Sequence, residues 1–242
     1  MTHVSIAPVA DVFRKNPQTA TPAACQQGCR FFQKHISPAE AGKLGPLVKF
    51  GKKQTIYEKG QPAHFCYKVV EGAVRVSRVL MDGHRQILSI HLPNEAFGIE
   101  YADTYSATAE AVGDVVLLRC SRSCIARISE GRSDARNQMM SLLSQEALSA
   151  QEHLVMLGHQ GAKVRVASFF LRLAELAGGK NGSTIDMPVG RQDMADYLGL
   201  TIETTCRAIT DFKESGIIAV PNRYQVVVRN LPGLQAIADV AD

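Results

Sequence analysis

Arg191-Gln192-Asp193-Met194-Ala195-Asp196-Tyr197-Leu198-Gly199-Leu200-Thr201-Ile202-Glu203-Thr204-Thr205-Cys206-Arg207 is the stretch on which the fold turns. Arg191 to Leu198 reads as a short helix stopped by Gly199, a residue suited to a left-handed C-terminal cap. Leu200-Thr201 makes a tight turn, and a second helix runs from Ile202 to about Ser215, where Gly216 ends it. Ile202, Thr205, Ile209 and Phe212 fall at i, i+3, i+7 and i+10, one apolar face of that helix. Glu203, Cys206, Arg207 and Thr210 fall on the opposite face. Two strands follow, Ile217 to Val220 and Tyr224 to Arg229, joined at Pro221-Asn222-Arg223. Helix, tight turn, helix and β-hairpin make a winged helix-turn-helix.

The exposed face of the second helix carries groups that suit DNA. Thr201 can cap the helix, and the N–H groups beside it suit a phosphate. The planar fork of Arg207 matches O6 and N7 of guanine, and Glu203 can accept from the exocyclic amine of cytosine or adenine. A Glu and an Arg four residues apart can also simply pair on a solvated face. The tight turn, small Ala195, Gly199 and the hairpin favour the DNA reading, with Thr201, Ile202, Glu203, Cys206 and Arg207 as the contact set.

Upstream, Val164 to Leu176 is helical, with Val166, Phe169, Phe170 and Leu173 as its apolar face, and Gly158 to Gly161 reads as a hinge. From about Asp134 to Leu157, Met140, Leu143, Ala147, Ala150, Leu154 and Leu157 are spaced alternately by three and four residues, the narrow seam of paired helices. This predicts a homodimer interface; the alternative is a helix laid along its own barrel. From about Leu44 to Arg119, short β-branched runs alternate with turn signals at Gly60, Gly72, Asp82-Gly83 and Gly113-Asp114. Many short strands at such spacing imply a small barrel or jelly roll. The expected architecture is α+β: a β jelly-roll barrel over residues 25–132, a dimerisation helix over 133–157 and a winged helix-turn-helix over 158–232.

Composition agrees with a globular protein. Apolar residues make up 45% of the 242 and charged residues 21%, which excludes dominant disorder, and the net charge of +4 permits nucleic acid without demanding it. No apolar run reaches the length of a membrane span, and Met1 to Ala24 lacks the apolar block of a signal peptide, so a cytoplasmic protein with no membrane partner is expected. The six cysteines, at 25, 29, 66, 120, 124 and 206, are expected as reduced thiols. Cys25/Cys29 and Cys120/Cys124 have three intervening residues, not the C-x2-C spacing common in zinc and cluster sites, so no metal site is expected.

Enzyme readings fare poorly. A cupin-like metalloenzyme needs clustered ligands, whereas His64, His84 and His91 of the strand region form no H-x-H and share no face. Gly178-Gly179-Lys180 lacks the phosphate-loop frame.

The run from Arg191 to Arg207 resembles the helix-turn-helix of CRP/FNR transcription regulators, and is most similar to the FNR and FixK branches, whose recognition helix carries E-x-x-S-R. Tyr67-Lys68-Val69-Val70-Glu71-Gly72-Ala73-Val74 and Gly83-His84-Arg85-Gln86-Ile87-Leu88 are similar to the family's barrel pattern, so the resemblance covers about residues 25 to 232. It implies a homodimeric regulator, an activator of low-oxygen or nitrogen-fixation-type genes, on a palindrome with TTGA and TCAA arms, working through contacts with RNA polymerase. Three positions depart from the pattern. Tyr105-Ser106-Ala107 stands where cyclic-nucleotide binders carry an Arg-Ser pair. Only Cys25 and Cys29 lie where the oxygen-sensing branch gathers its cluster cysteines. Cys206 replaces the usual Ser, and its place on the groove-facing side makes it a redox candidate. The resemblance therefore implies a FixK-like regulator with no cofactor; a ligand-sensing or iron–sulfur-sensing member of the family is the alternative.

Overall fold

The computed structural model describes residues 39–41, 45–100, 102–123, 133–176 and 178–239. They divide into two compact units, the first taking residues through Arg78 and Leu88–Glu146, the second Val79–Ile87 and Ala147 onward.

Eight short strands build the first unit, with Val79 and Arg85–Ile87 at the ends of two of them falling in the second: β1 (Leu47–Phe50), β2 (Thr55–Tyr57), β3 (Phe65–Glu71), β4 (Val74–Val79), β5 (Arg85–His91), β6 (Ala96–Phe97), β7 (Thr108–Ala111) and β8 (Val115–Ser121). They form two four-stranded sheets, ordered β1-β8-β3-β6 and β2-β7-β4-β5. The β3–β4 turn depends on Gly72, which has φ +83° and whose absent Cβ would lie 2.4 Å from the carbonyl oxygen of Asp114. Alternation along the strands sends Tyr67, Val69 and Leu117 of one sheet and Tyr57, Val74, Ala109 and Ala111 of the other into a shared core. Tyr105 joins that core. Its ring stacks on Tyr57 at 3.6 Å and its hydroxyl donates to the Phe65 carbonyl at 2.6 Å. Next to it, the N–H and Oγ of Ser106 donate to Glu100 Oε1 at 3.0 and 2.8 Å.

A second apolar cluster lies on the other face of β3 and β8. Cys66, Ala96 and Leu118 meet Ala41 and Met139 there, with Cys120, Leu142 and Leu143 packed around them. Met139, Leu142 and Leu143 belong to α1 (Ser133–His159), a 27-residue helix whose early turns therefore rest on the sheet. The expected hinge is shorter than the glycines suggest. The helix runs through Gly158, and only Gln160 and Gly161 separate it from α2 (Ala162–Leu176).

In the second unit α2 is followed by β9 (Thr184–Asp186), α3 (Arg191–Leu198), α4 (Ile202–Glu214), β10 (Ile218–Asn222), β11 (Gln225–Val228) and α5 (Leu231–Ala238). The wing is three-stranded, in the order β10-β11-β9. β9 has no counterpart among the strands expected from the sequence, and the domain extends past the expected limit of 232 by the six residues to the end of α5. Asn230 caps α5 by accepting from the Gly233 N–H at 2.9 Å, and Leu234 is fully buried. No helix among the described residues is long and apolar enough to cross a membrane.

Candidate nucleic-acid interface

The turn between α3 and α4 is held by backbone chemistry. Gly199 adopts φ 61° and ψ 39°, and its N–H returns to the Ala195 carbonyl. The left-handed backbone angle favours glycine here, and a Cβ would come within 2.9 Å of Leu157 Cδ2 and push that side chain aside. Thr201 then caps α4, its Oγ1 accepting from the Thr204 N–H at 3.2 Å, and Thr205 Oγ1 donates to the Thr201 carbonyl at 3.1 Å. Glu203 in the first turn and Lys213 in the last match the helix dipole.

α4 presents two faces. Thr205, Ala208, Ile209 and Phe212 are buried against the unit. Thr201, Glu203, Cys206, Arg207 and Thr210 are exposed, and Ile202 is half-buried at the edge between the faces. Among the described residues no ion pair joins Glu203 to Arg207, so the pairing that would occupy both on a solvated face is not made. Arg191, at the start of α3, is half-buried, and its Nη1 is buried with no hydrogen-bond partner among the described residues. Burial holds its guanidinium below the usual range, and the neighbouring Cys206 thiol counteracts part of that.

The position of α4 depends on α3, an eight-residue helix too short to persist alone. The last carbonyls of a helix lack intrahelical donors, and here side chains from three elements supply them. Gln86 Nε2, next to the β4–β5 turn, donates to the Asp196 carbonyl at 2.8 Å. His153 Nε2, from α1, donates to the Tyr197 carbonyl at 2.8 Å, with its ring stacked on Tyr197 at 4.3 Å. Arg165 Nη1, from α2, donates to the Leu198 carbonyl at 2.9 Å, while its Nε and Nη2 take the Gln160 and Leu157 carbonyls at 2.8 and 3.0 Å. Arg85 adds charge to the same helix, pairing with the buried Asp193 and the half-buried Asp196.

Two residues of the wing tip complete the exposed surface. The Tyr224 N–H donates to Asn222 Oδ1 at 2.9 Å, a local turn that leaves Tyr224 56% exposed. The Arg223 guanidinium lies over its ring, 4.5 Å from the centroid. In the sequence Arg223 stands only as a turn residue, and its place next to an aromatic at the hairpin tip is the signal for this pair.

The proposed seam residues are distributed unevenly. Met140, Ala147, Ala150 and Leu154 are exposed along α1 in the single chain. Leu143 instead packs on the cluster around Cys66, and Leu157 is half-buried near Gly199. Leu148 and Val155, not singled out from the sequence, are each 55% exposed. Cys25, Cys29 and Cys124 lie outside the described residues. Among the described residues no group of three or more His, Cys, Asp or Glu could hold a metal ion.

Comparison with known proteins agrees with this geometry. A family model for the Crp-like helix-turn-helix domain matches residues 164–237, and one for the cyclic nucleotide-binding domain matches residues 47–132. The chain is 36% identical over 205 residues to the nitrogen fixation regulation protein FixK of Rhizobium meliloti (strain 1021), covering 85% of this chain and 93% of that one. The chain belongs to the CRP/FNR family. Its similarity is to FixK-like members: it is also 34% identical over 193 residues to the transcriptional activatory protein AadR of Rhodopseudomonas palustris, covering 78% of this chain and 80% of that one. The solved structure of FixK2 from Bradyrhizobium japonicum superposes with a TM-score of 0.77 at 31% identity, covering 81% of this chain and 98% of that one. Members of this FixK/FNR type are transcription regulators with a DNA-binding helix-turn-helix, not enzymes.

Proposed function

We propose that this CRP/FNR regulator binds, as a homodimer, a palindrome with TTGA and TCAA arms separated by six base pairs, and activates transcription there by contacting RNA polymerase in the cytoplasm. The carrying observation is the exposed face of α4, where Glu203, Cys206 and Arg207 stand open beyond an N-terminus capped by Thr201. Arg207 reads guanine, Glu203 accepts from a base amine, and Thr201 and Ile202 at the helix start lie against the phosphate and base edges. Met140, Ala147, Ala150 and Leu154 form the centre of the dimer seam, with the half-buried Leu157 at its edge, while Leu143 packs on the chain's own sheet. Two-fold pairing along α1 would place the two recognition helices about 34 Å apart, one turn of DNA. The names of FixK relatives support control of nitrogen-fixation or low-oxygen genes.

The test is a gel shift with a TTGA–N6–TCAA duplex in air, without cyclic nucleotide or iron. Specific retention at nanomolar protein, lost on scrambling either arm, is the expected result. A strict need for a cyclic nucleotide, or a brown preparation that loses binding in oxygen, would overturn the cofactor-free reading.

A further inference from the structure

Cys66 and Cys120 are separated by 54 positions in the sequence and stand directly opposite each other on β3 and β8. Directly opposed residues of an antiparallel pair project to the same side of the sheet, so both thiols enter the cluster beneath Met139, Leu142 and Leu143 of α1. Cys66 Sγ donates to the Cys120 carbonyl oxygen at 3.6 Å. The Arg122 N–H donates to the His64 carbonyl at 3.0 Å. Bonded and non-bonded rungs alternate along an antiparallel ladder, so Cys66 and Cys120, two residues in from that pair on each strand, form a bonded rung. Its Cα atoms are spaced about 5.5 Å apart, inside the span of about 4.4 to 6.8 Å that a disulfide bridges.

We propose that Cys66 and Cys120 form a reversible dithiol–disulfide site, oxidised by hydroperoxides. Cys120 is partly exposed, Cys66 is fully buried, and both are thiols in this structure. That difference orders the steps. The Cys120 sulfur attacks the peroxide, forming a sulfenic acid and releasing water or an alcohol. The Cys66 sulfur then displaces the sulfenic oxygen as a second water and closes the S–S bond. Two thiols lose two electrons and two protons, and the peroxide takes up both. Burial pushes the Cys66 thiol well above the usual thiol range, which suits it to the second role rather than the first. Bonded rungs hold their Cβ atoms farther apart than non-bonded ones, so the strands must draw together to close the bond. A small dithiol should reopen it.

Trypsin provides a clean readout, because Arg122 separates Cys120 from Cys124 and Arg119 bounds the Cys120 peptide on its other side. Cys66 falls in the peptide 60–68, Cys120 in 120–122 and Cys124 in 123–127. The full chain carrying Cys206→Ser is treated with hydrogen peroxide, alkylated, digested and analysed by mass spectrometry without reduction. The expected product is peptide 60–68 linked to 120–122, with the free forms of both depleted at least fivefold and restored by dithiothreitol. Cys120→Ser abolishes the link while leaving Cys66 as a free thiol, and Cys66→Ala leaves Cys120 to advance to the sulfinic acid. A link between 120–122 and 123–127, or over-oxidised Cys120 with unmodified Cys66 in the unsubstituted pair, would overturn the proposal.

Discussion

Arg85 holds Asp196 through two donors: Nε and Nη2 reach the same carboxylate oxygen, Oδ2, at 3.0 and 2.5 Å, and Nη2 also reaches Asp193 Oδ1 at 2.6 Å. Arg85 is 28% exposed and the two carboxylates 13% and 14%, so solvent screens the pair only in part. Charge-assisted hydrogen bonds of this kind are the strong ones. Arg85→Ala should cost about 1–3 kcal/mol by leaving two carboxylates together without their cation. Urea denaturation of the full chain measures it. Asp196→Asn added to Arg85→Ala should cost much less than it does in the wild type, and full additivity would show that the pair is not coupled.

Arg207→Ala should weaken binding to the palindrome by about 1–3 kcal/mol and relax selectivity at one guanine. Arg223→Ala, at the wing tip, should weaken every sequence alike and reduce the salt slope by about one. Titrations against single-base variants of the duplex at several salt concentrations separate the two. A uniform loss for Arg207→Ala would assign it to the phosphate backbone.

Leu154 is 69% exposed in the single chain, so Leu154→Asp places a charge in the seam without disturbing the chain's own core. Sedimentation should give monomers. Leu143→Ala, whose side chain packs around Cys66 and Met139, should instead lower stability, by up to about 2–4 kcal/mol. A dimeric Leu154→Asp protein would move the interface off this face of α1.

Cys206 is exposed beside Glu203 and Arg207, with the cationic Arg191 close by. Oxidation to a sulfinate would set a fixed negative charge against DNA phosphates. Peroxide should therefore cut the affinity of the wild type for the palindrome and spare Cys206→Ser. Equal loss in both proteins would move the sensitive group elsewhere.

Lys68 is buried in β3, and burial lowers its ammonium from 10.5 to about 8. Above pH 8 the unfolded chain holds a proton that the native chain has released. The cost of burying the charge is therefore fully present below pH 8 and is relieved as the pH rises toward 10.5. Stability should gain up to about 1.4 kcal/mol per pH unit from this group over that interval. Denaturation at pH 8.0 and 9.5 should show a rise in the wild type that Lys68→Met lacks; parallel curves would rule Lys68 out as its source.

The legible parts of this protein were those written in neighbouring residues. α3, Gly199, the Thr201 cap and the two faces of α4 depend on contacts within one or two turns, and spacing alone located them. β9 is only three residues long, too short to show a period. α5 opens on Leu231-Pro232-Gly233, which reads as a loop until the Asn230 cap is seen. The length of α1 was readable from its heptads, but spacing cannot tell which row meets the chain's own sheet. Leu143 lies in a row seven residues from Ala150, just as Met140 does from Ala147, and only packing distinguishes the rows. The Arg85 pairs and the Cys66–Cys120 rung span 54 to 111 positions, and no local pattern announces them.

The side chains that finish the C-terminal end of α3 have a consequence for the order of chain synthesis. Gln86, His153 and Arg165 all precede Asp196 in the sequence, so each donor has left the ribosome before the carbonyl it serves. The short helix then emerges onto a prepared seat, whereas a fragment beginning at Ala162 brings Arg165 alone. In such a fragment α3 should fray from its last turn, its amide protons exchanging early, with the recognition helix left on an unsteady base.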